Sequence, residues 1–185
     1  MTTSIRDIAY QLRQGKLIAI ADETGWSIMA DPVNETAVEE LLTLKPLMPA
    51  GLQPTVIIQN ADQLGLYVAK VPDVAYDLVD FAENPLTVLY DQGKNIAGAL
   101  WSSSDTMKNG QSVGEVAVRR ALNADLQRLI GSFGRGLLSI PLESLVLPAA
   151  AETLIVERFG TLPGMPKRPR IMRLAVNGEV SFIRK

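Results

Sequence analysis

LIAIADETGW, residues 17–26, is the stretch that decides the fold. Its first half, residues 17–21, is short, apolar and partly β-branched, which is typical of a strand buried on both faces of a sheet. Its second half turns polar at Asp22 and Glu23. The stretch therefore predicts a buried strand that delivers the chain into a polar segment.

Helical and strand patterns alternate on both sides of this stretch. Ahead of it, Ser4 and apolar residues at helical spacing predict a helix that ends near Gly15. After it, the patterns predict helices from Asn34 to about Lys45-Pro46, from Asp73 to about Ala82 and from Asn123 to Gly134, and strands over 55–58, 86–90, 115–119 and 137–140. This alternation favours a single α/β domain over residues 1–185, with helices packed on a mixed, largely buried sheet.

Four finer predictions complete this pattern. The helix that begins at Asp73 is predicted to bury a stripe of four side chains, namely Val74, Ala75, Leu78 and Phe81. The polar residues 102–114 predict an exposed loop, and residues 150–159 predict a helix. Asn177-Gly178 stands between two β-like runs and predicts a closing hairpin.

Composition excludes several classes of chemistry. The chain has 185 residues, a formal net charge of −2, and neither cysteine nor histidine. Thiol nucleophiles, disulfides, Cys/His zinc sites and imidazole proton shuttles are therefore excluded, and no metal cluster is predicted. The remaining carboxylates, cations and hydroxyls suit phosphate chemistry better than proteolysis. The N-terminus lacks the pattern of a signal peptide, so a cytoplasmic protein without membrane spans is expected.

Seven segments of the chain form a recognisable series: 17–26, Asp31-Pro32, 35–45, Pro85-Leu86-Thr87, 116–119, 137–140 and the closing hairpin. Together they resemble the YrdC-like family, with Gly25 before an aromatic residue as in its YciO branch. They cover nearly the whole chain in order and spacing. The best-known members of this family make threonylcarbamoyl-adenylate for tRNA modification. The resemblance implies a twisted mixed β-sheet flanked by helices.

The same resemblance implies a set of ligand-binding residues. Thr24 and Trp26 would line a threonine pocket, Lys45 would neutralise ATP phosphates, and Arg119 would anchor substrates beside Mg²⁺. Glu23, Thr87 and Ser139 stand at further motif positions and are also candidates for binding the substrate or nucleotide. ATP and Mg²⁺ are the cofactors implied, and no residue is assigned as catalytic.

Ordinary structural alternatives stay open for these residues. Lys45 could be a solvated lysine near a helix C-terminus, Trp26 a packed core residue, and Ser139 an ordinary strand serine. Asp22 and Glu23 are adjacent, and adjacent residues on a strand point in opposite directions, which disfavours a paired-carboxylate site.

Two phosphate-binding motifs of the family are eroded in this chain. Lys45-Pro46-Leu47 keeps the lysine of the Lys-x-Arg element but has leucine in place of the arginine. Residues 139–143, SIPLE, replace Ser-Thr-Ser-x-Asn, so hydroxyl and amide donors are lost and a carboxylate that repels phosphate is added.

Basic residues outside these motifs could bind RNA phosphates. The candidates are Arg120, Arg135, Lys167, Arg168 and Arg170, and the family is associated with double-stranded RNA and tRNA. A solvated basic loop is an equal alternative for the segment around Lys167.

Three hypotheses about function follow. The first is a divergent YrdC-like protein that binds tRNA, double-stranded RNA or a nucleotide in the family cleft and has weak or no synthase activity. The second is an active L-threonylcarbamoyladenylate synthase in which Arg135 or Arg170 supplies the lost donors. The third is a regulator that retains only the fold and binds a protein partner.

Overall fold

A nine-stranded mixed sheet forms the centre of the molecule. The structure is a computed structural model that describes residues 4–102, 107–108, 111–112 and 114–185. The strands are β1 Leu17–Asp22, β2 Gly25–Ala30, β3 Thr55–Ile58, β4 Leu86–Tyr90, β5 Met107–Lys108, β6 Gln111–Ser112, β7 Val116–Arg120, β8 Leu137–Pro141, β9 Ile155–Gly160, β10 Arg170–Leu174 and β11 Val180–Arg184. The large sheet has the order β11-β10-β4-β7-β3-β8-β2-β1-β9, and β5 pairs separately with β6. The predicted α/β class with a mixed sheet is confirmed.

Helices lie on both faces of this sheet. They are α1 Ile5–Arg13, α2 Glu35–Leu42, α3 Leu64–Tyr67, α4 Asp73–Asp80, α5 Gly98–Ser102, α6 Ala124–Phe133 and α7 Ala149–Glu152. Ser4, Asn34 and Asn123 each accept a hydrogen bond from a backbone N–H in the first turn, as the N-cap predictions required. None of the described helices is long and apolar enough to cross a membrane.

The two faces of the sheet differ in what covers them. One face carries the largest core cluster, which includes Val56, Val88, Met172 and Leu138 and packs against α2 and α4. On the other face, α1 and α6 cover only one part, where Ile20 and its neighbours are fully buried. The remainder of that face carries polar side chains from the middle strands and is the part that forms a cavity.

One sequence prediction is wrong in this region of the fold, and one strand was not predicted. Residues 150–159 are not one helix, because α7 ends at Glu152 and β9 begins at Ile155. The alanines of α7 favour a helical turn, whereas Ile155, Val156 and Phe159 are β-branched or aromatic and suit the edge strand that pairs with β1. Strand β2 was not predicted, although it forms a hairpin with β1 and is buried along its whole length.

The predicted stripe on α4 is also partly wrong. Ala75 and Val79 are the buried residues of α4, whereas Phe81 is 78% exposed and Val74 is also exposed. The helix begins at Asp73 as predicted and ends at Asp80, so Phe81 lies past its last turn.

The last two predictions concern residues 102–114 and the closing hairpin. Within 102–114, residues 103–106, 109–110 and 113 lie outside the described residues, and β5 and β6 occupy part of the remainder. The closing hairpin is confirmed, since β10 pairs with β11 in antiparallel fashion and Gly178 adopts a φ of +92°.

Candidate functional site

A cavity of about 190 Å³ lies on the partly covered face of the sheet. Its walls come from the middle strands, from the segment before β3 and from the C-terminal hairpin. The lining residues are Thr24, Gly51, Leu52, Gln53, Thr55, Thr87, Leu89, Arg119, Ser139, Pro141, Glu143, Pro169, Ile171, Arg173, Ile183 and Arg184. Hydroxyls, guanidinium groups and one carboxylate therefore meet around an otherwise apolar space.

Arg119 is held at one end of the cavity by two adjacent carboxylates. Its Nη2 donates to Asp22 Oδ2 at 2.9 Å, and its Nη1 lies 3.5 Å from Glu23 Oε1. Asp22 also accepts from the backbone N–H of Thr24 at 2.8 Å and from the Thr24 hydroxyl at 2.6 Å. Asp22 and Glu23 were expected to point in opposite directions, but β1 ends at Asp22 and the turn brings both carboxylates to the same arginine.

Glu23 has a raised pKa in this setting. Burial of its carboxyl is the largest cause and the neighbouring negative charge of Asp22 is the second, while Arg119 opposes both. Lys167, whose backbone N–H donates to the Glu23 carbonyl at 2.8 Å, also lowers the pKa by its charge. A proton is therefore held more tightly at this end of the cavity than by a free glutamate.

Glu143 and Arg184 form a second ion pair at the other side of the cavity. Arg184 donates from Nη2 to Glu143 Oε2 at 2.5 Å and from Nη1 to Oε1 at 3.1 Å. The same guanidinium donates to the Pro169 carbonyl, and Arg168 lies 3.5 Å from Glu143. The two-point contact fixes Arg184, which belongs to the edge strand β11, against the cavity wall.

Close packing of two backbone segments places Glu143 in the wall. Gly25 adopts a φ of +98°, and a Cβ there would lie 2.6 Å from the Ser144 carbonyl oxygen. The Trp26 N–H donates to that oxygen at 2.8 Å, so the loop after β8 runs directly beside the β1–β2 turn. Glu143 itself has a φ of +51°, a left-handed conformation that turns the chain within this loop.

Hydroxyl groups from neighbouring strands form the floor of the cavity. The sheet register pairs Ser139 with Thr55 and Thr87 with Arg119. The Ser139 hydroxyl donates to the Thr55 carbonyl at 2.8 Å, which leaves its oxygen able to accept a hydrogen bond from a ligand. At the rim, Arg173 donates to Glu115 at 2.7 Å.

The structure brings most of the predicted substrate-binding residues together. Thr24, Thr87, Arg119 and Ser139 line the cavity, and Glu23 contacts Arg119 beside it. Two others do not line it. Trp26 packs in the large core cluster on the opposite face, and Lys45 lies at the start of a short 3₁₀ segment, Lys45–Leu47.

The predicted RNA-binding residues are spread over several places. Arg120 donates to the carbonyls of Val79, Asp80 and Ala82 at the end of α4, and Arg135 pairs with Asp31 at 2.9 Å. Lys167 and Arg168 belong to the segment before β10, Arg170 is the first residue of β10, and all three are exposed. Arg168 contacts Glu143, and Arg170 stacks on Phe182 at 5.1 Å from the ring centroid. Neither Arg135 nor Arg170 lines the cavity; Arg173 and Arg184 do.

Sequence reasoning missed most of the other residues of the site. Among them are Asp22, Thr55, Glu143, Arg173 and Arg184, which carry its hydrogen bonds and charges. A charged residue at the end of an apolar strand is a signal for Asp22, because such a group needs a partner when it is buried. The partners of Glu143 and Arg184 come from distant parts of the chain, so local patterns contain no signal for that pair.

Comparisons with known proteins show which family contains this chain. Residues 10–150 match the model of the Sua5_yciO_yrdC family, described as "Telomere recombination". The chain belongs to this Sua5/YciO/YrdC family. Threonylcarbamoyl-AMP synthase of Pseudoalteromonas translucida is 30% identical over 181 residues, which are 91% of each chain. The enzyme of the same name from Pseudomonas aeruginosa is 29% identical over 179 residues, again 91% of each.

Solved structures of the Sua5/YciO/YrdC family share the fold. E. coli YciO matches with a TM-score of 0.74 and 19% identity, over 98% of this chain and 88% of that one. P. abyssi Sua5, in a complex with L-threonine, matches with a TM-score of 0.70 and 22% identity, over 92% of this chain and 50% of that one. The predicted resemblance to the YrdC-like family is confirmed.

Proposed function

We propose that the cavity is a substrate site of the threonylcarbamoyl-AMP synthase type and that the chain makes L-threonylcarbamoyladenylate from L-threonine, bicarbonate and ATP. One observation carries the proposal. Thr24, Thr87, Arg119 and Ser139, which stand at separate motif positions, line a single cavity. The proposal is supported by relatives of that name, since the chain is 30% identical to one of them over 91% of its length.

The residues of the cavity suit the first part of this reaction. The hydroxyls of Thr24, Thr87 and Ser139 can orient the amino acid by hydrogen bonds, and Arg119 is fixed by Asp22 where it can face a carboxylate. The amine of threonine forms a C–N bond with the carbon of bicarbonate, water leaves, and a carbamate results. Arg119 is buried, and charge interactions are stronger in a buried setting than in bulk water.

The second part of the reaction needs positive charge around phosphate. A carbamate oxygen forms a bond to the α-phosphorus of ATP, and the bond to pyrophosphate breaks. Arg173 and Arg184 line the cavity, and we expect them to face the leaving group. Mg²⁺ fits as an ion carried by the nucleotide, since phosphate sites hold it with one or two carboxylates. The described residues contain no cluster of three or more metal ligands, so the protein would contribute at most one or two ligands to such an ion.

The test is synthesis by the purified chain. Pyrophosphate release from ATP should require both L-threonine and bicarbonate, and mass spectrometry should detect the adenylate. Thr87→Val keeps the shape of the side chain but removes a cavity hydroxyl, and should lower kcat/KM roughly tenfold. Thr153→Val, at an exposed hydroxyl directly after α7, is the matched control. Release that is independent of threonine would contradict the proposal, and an unchanged rate in Lys45→Ala would reject the phosphate-binding role of Lys45.

A second candidate function rests on the two ion pairs. Asp22 and Glu143 place carboxylates against Arg119 and Arg184, so much of the positive charge at the cavity is already neutralised. We infer from this a divergent protein that binds a nucleotide or RNA and has weak or no synthase activity. Calorimetric titration with ATP that shows binding without any coupling to threonine, together with no product, would favour this function over the first.

The RNA part of the second candidate has its own test. Lys167 and Arg170 are exposed cations that could contact phosphates. Binding of tRNA or duplex RNA should weaken as salt rises, and Lys167→Ala and Arg170→Ala should each reduce the slope of that dependence. Titration that shows no salt-dependent binding would reject this part.

A further inference from the structure

The arginines that line the cavity are already paired with carboxylates. Within the described part of the chain, the pairs are Arg119–Asp22, Arg173–Glu115 and Arg184–Glu143. A phosphate group that enters the cavity therefore meets guanidinium groups whose charge is already balanced. It must share an arginine with a carboxylate or take the place of that carboxylate.

Two of these carboxylates also serve other donors. Asp22 accepts from the backbone N–H and the hydroxyl of Thr24. Glu115 accepts from Gln53 Nε2 at 3.5 Å. Displacement of either carboxylate would leave a donor of another residue without its acceptor, which costs free energy.

Glu143, in contrast, is held by arginines. Its two oxygens accept from Nη1 and Nη2 of Arg184, and Arg168 Nε lies 3.5 Å from Oε1. Among the described residues, these two arginines make all the hydrogen bonds and ion pairs of this carboxylate. A guanidinium that donates to two oxygens of a carboxylate binds two oxygens of a phosphate in the same way. Glu143 therefore occupies a position that suits a phosphate group of a ligand.

Arg184 keeps its orientation without Glu143. Its Nε and Nη2 donate to the Pro169 carbonyl at 2.9 and 2.7 Å. These bonds use two of the five N–H groups of the guanidinium, so the remaining groups stay available at the position of Glu143. The arginine is thus fixed before a ligand arrives, which lowers the entropy that binding costs.

The exchange requires the rotation of one side chain. The Trp26 N–H donates to the Ser144 carbonyl at 2.8 Å, and the Leu142 N–H donates to the Trp26 carbonyl at 3.1 Å. These bonds fix the backbone on both sides of Glu143. Arg168 is 68% exposed, so the carboxylate can turn towards solvent and remain beside it.

We infer that the Glu143 carboxylate is a stand-in for a phosphate group, and that a polyphosphate ligand binds by replacing it at Arg184. The carboxylate added in residues 139–143 then opposes phosphate by competing for one guanidinium, and the exchange changes no covalent bond. The inference rests on the proposed function, because the triphosphate of ATP is the group that would make the exchange.

Calorimetric titration with inorganic tripolyphosphate, in the absence of L-threonine, tests this exchange. Glu143→Gln should bind tripolyphosphate about tenfold more tightly than the wild type, because a neutral amide competes less for Arg184. Glu152→Gln is the matched control, since it removes a carboxylate from an exposed pair with Arg158 on β9, at the opposite edge of the sheet. The control should leave the affinity unchanged. Tripolyphosphate that binds to none of the chains, or an equal gain in both variants, would overturn the inference.

A double-mutant cycle separates competition from simple repulsion. If Glu143 acts by occupying Arg184, the gain from Glu143→Gln should disappear in the Arg184→Gln background. A gain of the same size in both backgrounds would show that the carboxylate acts by charge alone and would overturn the inference.

Glu143→Asp provides an independent check. It keeps the charge but shortens the side chain by one methylene, so the carboxylate no longer reaches both Nη groups of Arg184. This variant should gain affinity for tripolyphosphate as Glu143→Gln does, and an affinity equal to that of the wild type would contradict the exchange.

These titrations are independent of the synthase assay because they involve no turnover. Pyrophosphate release that does not require threonine would contradict the proposed function and leave the affinity ratios as expected. A chain that makes the adenylate, but shows one tripolyphosphate affinity for the wild type, Glu143→Gln and Glu143→Asp, would overturn the exchange alone.

Discussion

The cavity contains two arginine–carboxylate pairs that are chemically alike and differ in burial. The Arg119–Asp22 pair is 4% and 1% exposed, and it joins β7 to β1 across the strands between them. The Arg184–Glu143 pair is 20% and 5% exposed, and its arginine belongs to an edge strand. If Asp22 is removed, Arg119 remains as a buried charge without a full partner and without water. If Glu143 is removed, water can still reach Arg184. We infer that the Arg119–Asp22 pair fixes the geometry of the cavity, whereas the Arg184–Glu143 pair separates more easily.

Asp22→Ala should cause the largest loss of stability, because it removes one partner from the more buried of the two pairs. Arg119 would remain buried with only Glu23 at 3.5 Å, and the Thr24 hydroxyl and N–H would lose their acceptor. We expect the free energy of unfolding to fall by about 3–5 kcal/mol, measured by urea denaturation. Asp125→Ala, which removes the partner of exposed Arg128, is the control and should change stability by less than about 0.5 kcal/mol. Similar losses in both variants would contradict the assignment of Asp22.

Glu143→Ala should cause a smaller loss of stability than Asp22→Ala, because the Arg184–Glu143 pair is more exposed. Arg184 keeps its bonds to the Pro169 carbonyl and is partly hydrated, so about 1–2 kcal/mol of stability should be lost. If the cavity binds phosphates, the same variant should bind ATP more tightly, since a carboxylate is removed from its wall. Urea denaturation and calorimetry measure the two effects. A loss as large as that of Asp22→Ala would remove the distinction between the pairs.

Part of the fold and part of the cavity could be predicted from the sequence. Residues 17–21, the helix caps and the closing hairpin follow from local patterns, and the structure confirms them. Four cavity residues were found through motif positions that lie far apart along the chain. Strand β2 was missed because Gly25 and Ser27 interrupt its apolar pattern, although the sheet buries it completely.

The paired charges could not be predicted for a physical reason. Glu143 is 41 residues from Arg184, and their contact depends on the packing of the loop after β8 beside β11. Phe81 was placed in the core because its spacing continues the stripe of α4, but the helix ends one residue earlier. Local periodicity cannot determine where a helix stops or which strand lies at an edge, because tertiary packing decides both.

Glu23→Gln should give the smallest change in stability, and this change should depend on pH. Because burial and Asp22 raise the pKa of Glu23, the folded chain binds its proton more tightly than the unfolded chain does. Stability contributed by this proton is present below the unfolded pKa near 4.5 and is lost as the pH rises through the raised folded pKa. Glutamine resembles the protonated acid, so the variant should match the wild type at low pH and become more stable than it above this window.

The measurement for Glu23→Gln is the free energy of unfolding of both chains between about pH 4 and pH 8. Their difference cancels the titration of the shared groups and isolates Glu23. Glu39→Gln, on the exposed face of α2, controls for the loss of one surface carboxylate. If the wild type instead gained stability over Glu23→Gln as the pH rose, the attraction of Arg119 at 3.5 Å would outweigh burial and the repulsion of Asp22. The carboxylate pair would then stabilise the folded chain at neutral pH, and both carboxylates would count as partners of the buried arginine.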